Sequence, residues 1–97
     1  ADFIRKFKNP ILNIHPSLLP KYKGLNTHRR VIKNKDKYSG ATVHLVTPKL
    51  DSGKIILQKK VRISKEDTEK ILAEKVLNIE HKLYPAAIEK FLRKFNL

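Results

Sequence analysis

Apolar positions along the chain fall into short runs broken by proline, glycine and charge, followed by one long stretch at helical spacing. Phe3, Ile4 and Phe7, interleaved with Arg5, Lys6 and Lys8, predict the end of an amphipathic helix that stops before Asn9-Pro10. Ile11 to His15 is a mostly apolar run between Pro10 and Pro16. Proline is tolerated at a strand's edge and not in its middle, so this predicts a short buried strand of the kind found in parallel sheets. Pro16, Ser17, Pro20 and Gly24 mark a loop. Asn26 or Thr27 is placed to cap a short helix through His28, Val31 and Ile32. Asp36 to Gly40 is polar and turn-like, and Ala41 to Val46 has the β-branched composition of a strand. A second loop, Pro48 to Gly53, leads to a partly alternating strand over Ile55 to Ile63, so the last two strands are expected to pair as a hairpin. Ser64-Lys65-Glu66-Asp67 resembles a capping box. After it Ile71, Leu72, Val76, Ile79, Leu83 and Ala87 keep helical spacing, with Pro85 predicted to kink or split the helix. The order α-β-α-β-β-α indicates an α/β layered fold, read as a single domain over residues 1–97.

Composition changes this picture in two ways. Lys and Arg number 22 against 9 Asp and Glu, a net charge of +13, which invites a nucleic-acid reading because basic surfaces release counterions from phosphate backbones. The lysines are scattered singly or in pairs, however, and follow no nucleic-acid-binding motif; a solvated lysine-rich surface accounts for them as well. The chain has no Cys, which excludes a disulfide scaffold, a thiolate nucleophile and a cysteine zinc site. No metal site is expected either, since none of His15, His28, His44 and His81 forms an i, i+4 pair. No apolar run approaches the roughly 20 residues of a membrane helix, and the first residues lack a leader's apolar stretch. A cytoplasmic protein is the expectation. The absence of Met suggests a processed chain or a fragment.

The candidate chemistry sits at the end of the first strand. Asn13 and His15 are two residues apart, so on a strand they share a face, next to the carboxyl end where open α/β sheets bind ligands. A neutral amide donor beside an imidazole suits an oxyanion that develops during acyl transfer. Each residue alone is better read as a satisfied polar group of the interior; as a pair at a strand end before Pro16-Ser17, the two readings balance. Asp51, in the Asp-Ser-Gly loop, is a turn former or, placed near a histidine, a carboxylate that favours its charged form.

Longer motifs narrow the choice. Asn13-Ile14-His15-Pro16-Ser17-Leu18-Leu19-Pro20-Lys21-Tyr22-Lys23-Gly24 with Thr27-His28, then Gly40-Ala41-Thr42-Val43-His44-Leu45-Val46-Thr47 with Leu50-Asp51-Ser52-Gly53, resemble the two signatures of the phosphoribosylglycinamide formyltransferase family. Ile56-Leu57-Gln58 and Glu80-His81 to Tyr84-Pro85 extend the likeness to about residues 3–92. The resemblance implies the C-terminal part of a formyltransferase-type open twisted sheet with flanking helices. It implies formyl transfer from 10-formyltetrahydrofolate to the amine of glycinamide ribonucleotide in purine biosynthesis, by direct attack. Asn13, His15 and Asp51 match the catalytic triad, with the first two stabilising the oxyanion and Asp51 supporting the charge on His15. Val46, Thr47, Leu50 and Asp51 match the folate pocket, and Glu80 and Ser17 match substrate contacts. Leu77 departs from a position that is often polar in the family. The family's glycine-rich phosphate loop has no counterpart, so the chain is expected to be the C-terminal catalytic half, weakly active or inactive alone. The open sheet edge left by the missing half could self-associate. Methionyl-tRNA formyltransferase and formyltetrahydrofolate deformylase share the Asn-x-His pattern and a later Asp. The Lys21-to-His28 continuation and Pro16-Ser17 favour the glycinamide family over both.

Overall fold

A computed structural model describes residues 12–46 and 53–94. The elements are strand β1 (Leu12–His15), helix α1 (Thr27–Lys33), strands β2 (Tyr38–Leu45) and β3 (Ile55–Arg62), and helix α2 (Glu69–Lys94). The helix expected over Phe3 to Lys8 lies outside the described residues, as do Ile11 and most of the Pro48–Gly53 loop.

The sheet has the order β1-β2-β3. β2 is its central strand and is buried along nearly its whole length. β1 runs antiparallel to it, with Leu12 opposite Leu45 and His15 opposite Thr42. The reading of a buried, parallel-type strand is therefore corrected on both counts: β1 pairs antiparallel with β2, and of its four residues only His15 is buried while Asn13 is exposed. A short, mostly apolar run interrupted by Asn13 and His15 fixes neither burial on both faces nor strand direction. β2 and β3 pair antiparallel from Tyr38–Arg62 to His44–Ile55, as the hairpin reading expects, with an irregularity between Val43 and His44.

β2 also begins earlier than its composition suggests, because Tyr38, Ser39 and Gly40 belong to the strand rather than to a turn. Gly40 is there for close approach. A Cβ on it would stand 2.1 Å from the Lys59 carbonyl oxygen and 2.7 Å from Leu18 Cδ2. Along β3 only Ile56 is buried, and the exposed Lys59, Lys60 and Arg62 give this outer strand of the described sheet a charged edge unfavourable to pairing with another chain.

α1 starts after Asn26, which holds a left-handed backbone and makes no side-chain cap bond, so the expected capping by Asn26 does not occur. Thr27 is instead buried as the first helical residue. The helix ends in a Schellman-type turn: Asp36 N donates to Val31 O and Lys35 N to Ile32 O, with Lys35 at φ 55°.

At α2 the expected capping box forms a separate closed turn, in which Ser64 N donates to Asp67 Oδ2 and Asp67 N to Ser64 O. The helix cap is Thr68, whose Oγ1 accepts from Ile71 N at 3.2 Å. Pro85 does not split α2, which is one helix of 26 residues. The carbonyl its missing N–H leaves unpaired belongs to His81, and both residues are exposed to water.

Leu72, Val76, Leu83, Ala87 and Phe91 form the buried stripe of α2 and pack on Val31, Ala41, Val43, Leu45 and Ile56. Ile71, which fits the helical spacing, lies outside that stripe and is exposed. The Tyr84 hydroxyl donates to Leu12 O at 3.2 Å and ties α2 to the start of β1.

Candidate active site

The loop that follows β1 is fastened to the sheet through one buried side chain. Thr42 is fully buried at the centre of β2. Its hydroxyl donates to Ser17 O (2.7 Å) and accepts from Leu19 N (3.1 Å) and Gln58 Nε2 (2.9 Å). Gln58 Nε2 also donates to Leu19 O at 2.7 Å. The loop closes on itself through Ser17, whose hydroxyl donates to Lys21 O at 2.6 Å and whose N–H donates to His15 O at 2.8 Å. The Leu19–Pro20 peptide is cis.

Beyond that turn the chain returns over the end of β1. Tyr22, at φ 57°, presents its carbonyl to His15, with Nε2 at 2.7 Å. A carbonyl only accepts, so His15 Nε2 carries a proton and donates it, and the second proton of an imidazolium would sit on Nδ1. The Tyr22 hydroxyl donates to Asp36 Oδ2 (2.6 Å) and accepts from Asn34 Nδ2 (3.0 Å), which fixes the loop to the end of α1. Arg30 adds a bond from its guanidinium to Lys23 O at 2.7 Å and stacks over the Tyr22 ring at 5.5 Å. The bond to Asp36 and burial together push the Tyr22 phenol above its ordinary range, since both favour the protonated donor.

Asn13 and His15 share a strand face, as their spacing predicts, but differ in exposure. Asn13 is exposed, while His15 is 6% exposed beneath the Tyr22 loop. Glu80, half-buried on α2, is within electrostatic reach of His15. Burial pushes its carboxyl up, and His81 and His15 pull it partly back. His28 on α1 belongs to the same group. Burial lowers its pKa, Glu69 opposes that shift, and His15 adds to it. Its Nδ1 is buried without a hydrogen-bond partner among the described residues. Sequence reasoning did not select His28 as a site residue, although Thr27-His28 stands in the first motif.

Ser17 is fully buried with its hydroxyl engaged by the loop, so its evident work is to shape the turn. Val46 is exposed just past the end of β2. Thr47, Leu50 and Asp51 lie outside the described residues. The described part of the site therefore brings together Asn13, His15, His28 and Glu80. It is an exposed amide beside a hydrogen-bonded imidazole, flanked by a second imidazole and a carboxyl.

That arrangement of donors suits acyl-group chemistry, and the comparisons agree with it. Residues 1–88 match the formyl transferase family, and the chain belongs to that family. Within it, the chain is similar to phosphoribosylglycinamide formyltransferase of Escherichia coli, with 46% identity over 92% of this chain and 42% of that protein. The trifunctional purine biosynthetic protein adenosine-3 of Bos taurus is 45% identical over 92% of this chain and 9% of its own length. Among solved structures, phosphoribosylglycinamide formyltransferase from Brucella melitensis superposes with a TM-score of 0.81 at 49% identity, covering 93% of this chain and 46% of that one. The enzyme of that name from Bacillus halodurans gives a TM-score of 0.83 at 42% identity, over 92% and 46%. The chain thus spans less than half the length of these bacterial relatives. Among the described residues, no helix is long and apolar enough to cross a membrane.

Proposed function

We propose that this chain is the C-terminal catalytic part of a folate-dependent formyltransferase acting on glycinamide ribonucleotide in purine biosynthesis. The observation that carries the reading is the end of β1, where the exposed Asn13 stands on the same face as His15, whose ring is oriented by the Tyr22 carbonyl. The donor is 10-formyltetrahydrofolate. The substrate amine attacks the formyl carbon, and the carbonyl electron pair moves onto oxygen to give a tetrahedral oxyanion. Asn13 and protonated His15 donate to that oxygen. Asp51 supports the imidazolium and, through water, helps carry the amine's proton to the folate nitrogen, which leaves as the carbonyl re-forms. Val46, Thr47 and Leu50 contribute to the folate pocket, and Glu80 and Ser17 serve the nucleotide side.

A helix-borne Glu80 whose carboxyl is already raised by burial suits a hydrogen bond to a neutral hydroxyl of a ribose better than an ion pair. The glycine-rich phosphate loop that the resemblance implies has no counterpart in these 97 residues, so this stretch by itself is expected to turn over weakly or not at all.

The test is formyl transfer from 10-formyltetrahydrofolate by the full-length protein, with glycinamide ribonucleotide and with water as acceptors. Asn13→Ala and His15→Ala should each lower kcat by about 10²–10³. Turnover of His15→Ala within about tenfold of the parent would refute the assignment of the oxyanion role, since one such donor is worth far more. Release of formate without transfer to the amine would identify a deformylase instead.

A further inference from the structure

A cavity of about 520 Å³ lies away from β1, at the Tyr38 end of β2, between the α1–β2 connection and the β3–α2 connection. β1 stands against the other end of that strand, at Thr42 to Leu45. The volume falls in the range of small-ligand sites. Ile32 from α1 and Ile63 from the end of β3 supply apolar lining, and Lys35, Lys37 and Lys65 supply cations.

The two acids in the lining, Asp36 and Asp67, are already engaged. Asp36 accepts from the Tyr22 hydroxyl. Asp67 accepts from Ser64 N and pairs with Lys75, which hold its carboxyl below the usual carboxylate range. None of the three lysines makes an ion pair among the described residues. Asp67 is neutralised by Lys75, while Asp36 keeps its charge in a bond from a neutral phenol, so the cavity presents an apolar surface under three cations and one charged acid, a net positive lining.

Lys35 adds a second observation. It follows the C-cap Asn34, two residues past α1, at φ 55°, a left-handed position where glycine is the usual choice. A side chain there costs about 1 kcal/mol or more of backbone strain, and strained residues of this kind concentrate at functional sites. Helix termination needs only the backbone, so the strain is met for a lysine that the turn itself does not require.

We propose that this cavity binds a small organic anion: a flat apolar or aromatic body with one or two carboxylate, sulfonate or phosphate groups, the body against Ile32 and Ile63 and the charge among Lys35, Lys37 and Lys65. The site is separate from the formyl-transfer residues and does not depend on that reading.

Amide chemical shifts of the isotopically labelled protein test it, with 2-naphthoate as probe and 2-naphthol and inorganic phosphate as controls. The expected result is saturable shifts confined to residues 32–37 and 63–67 with 2-naphthoate. Both controls should bind at least about tenfold more weakly, since each offers only half of the recognition. Lys35→Gly is compatible with φ 55° and keeps the fold, so the double variant K35G/K65Q reports on the two lysine side chains. It should weaken 2-naphthoate by about tenfold, the loss of two partly exposed ion pairs. Shifts spread over all lysines, equal binding of 2-naphthol, equal binding of phosphate, or unchanged affinity in the double variant would each overturn the proposal.

Discussion

Replacing Thr42 by valine changes almost no volume and removes one hydroxyl, so it isolates the buried polar centre of the fold. Three bonds are lost: those to Ser17 O, from Leu19 N and from Gln58 Nε2. Gln58 is exposed and keeps its second bond, to Leu19 O, so its share is small. The Ser17 carbonyl and Leu19 N–H belong to residues that are 0% and 5% exposed, where water does not substitute readily. A buried polar group left unsatisfied costs about 1–3 kcal/mol. Two such groups, with some relaxation of the loop, give an expected loss of about 2–4 kcal/mol. In a domain of this size that corresponds to a drop of roughly 10–20 °C in Tm. Urea unfolding should show a lowered midpoint with little change in slope. Thr42→Ser retains the hydroxyl and should recover most of the difference. A loss below about 0.5 kcal/mol, the value for a neutral surface site, would refute the argument that Thr42 holds the loop. The same variant should weaken formyl transfer by the full-length protein under conditions where it is still folded. His15 lies opposite Thr42, and its ring is held by the loop that Thr42 fastens.

Two further outcomes follow from packing and titration. Gly40→Ala sets a Cβ against the Lys59 carbonyl oxygen, backbone that cannot yield without separating β2 from β3; a loss of several kcal/mol, roughly that of severe overpacking, is expected in the same urea assay. His28 has its pKa lowered chiefly by burial, so as pH falls below its ordinary value of about 6.5 the unfolded chain takes up the proton first and stability declines, until the folded form protonates as well. The decline should be smaller in His28→Gln when Tm is followed between about pH 5 and 8, whereas identical pH profiles would remove His28 from the account.

Most of the element order was legible because each segment carries its own local signal. The β-branched run Thr42–Val46 and the Leu72–Val76–Leu83–Ala87 spacing need no partner to be read. What failed is what depends on partners. Strand direction at β1 is set by β2, which the Ile11–His15 run does not encode. Gly40 looked like a turn signal, whereas it is the close approach of β3 and Leu18 that requires it. Ser64–Asp67 has capping-box chemistry but closes a turn of its own, leaving the cap to Thr68. At the site, the Asn13-x-His15 spacing and the family signatures were visible in the chain. The Tyr22 carbonyl that orients His15 was not, because a main-chain acceptor leaves no mark on residue identity. His28 and Glu80 approach His15 from two different helices, and only the packing of α1 and α2 against the sheet brings them there.

That main-chain acceptor shapes how the site can drift over generations. An imidazole oriented by a carboxylate side chain is lost with a single codon change at the partner. Here every residue type at position 22 supplies the same carbonyl, so the partner cannot be deleted by substitution. What can be lost is the left-handed bend at φ 57° that aims it. Tolerance at position 22 should therefore depend on two things: a residue that accepts the left-handed backbone, and replacement of the phenol's bonds to Asp36 and Asn34 that hold the loop, so that β-branched residues, which fail on both counts, rank last. The vulnerable positions are displaced to residues such as Thr42 and Gly40, which touch no substrate and hold the bend in place.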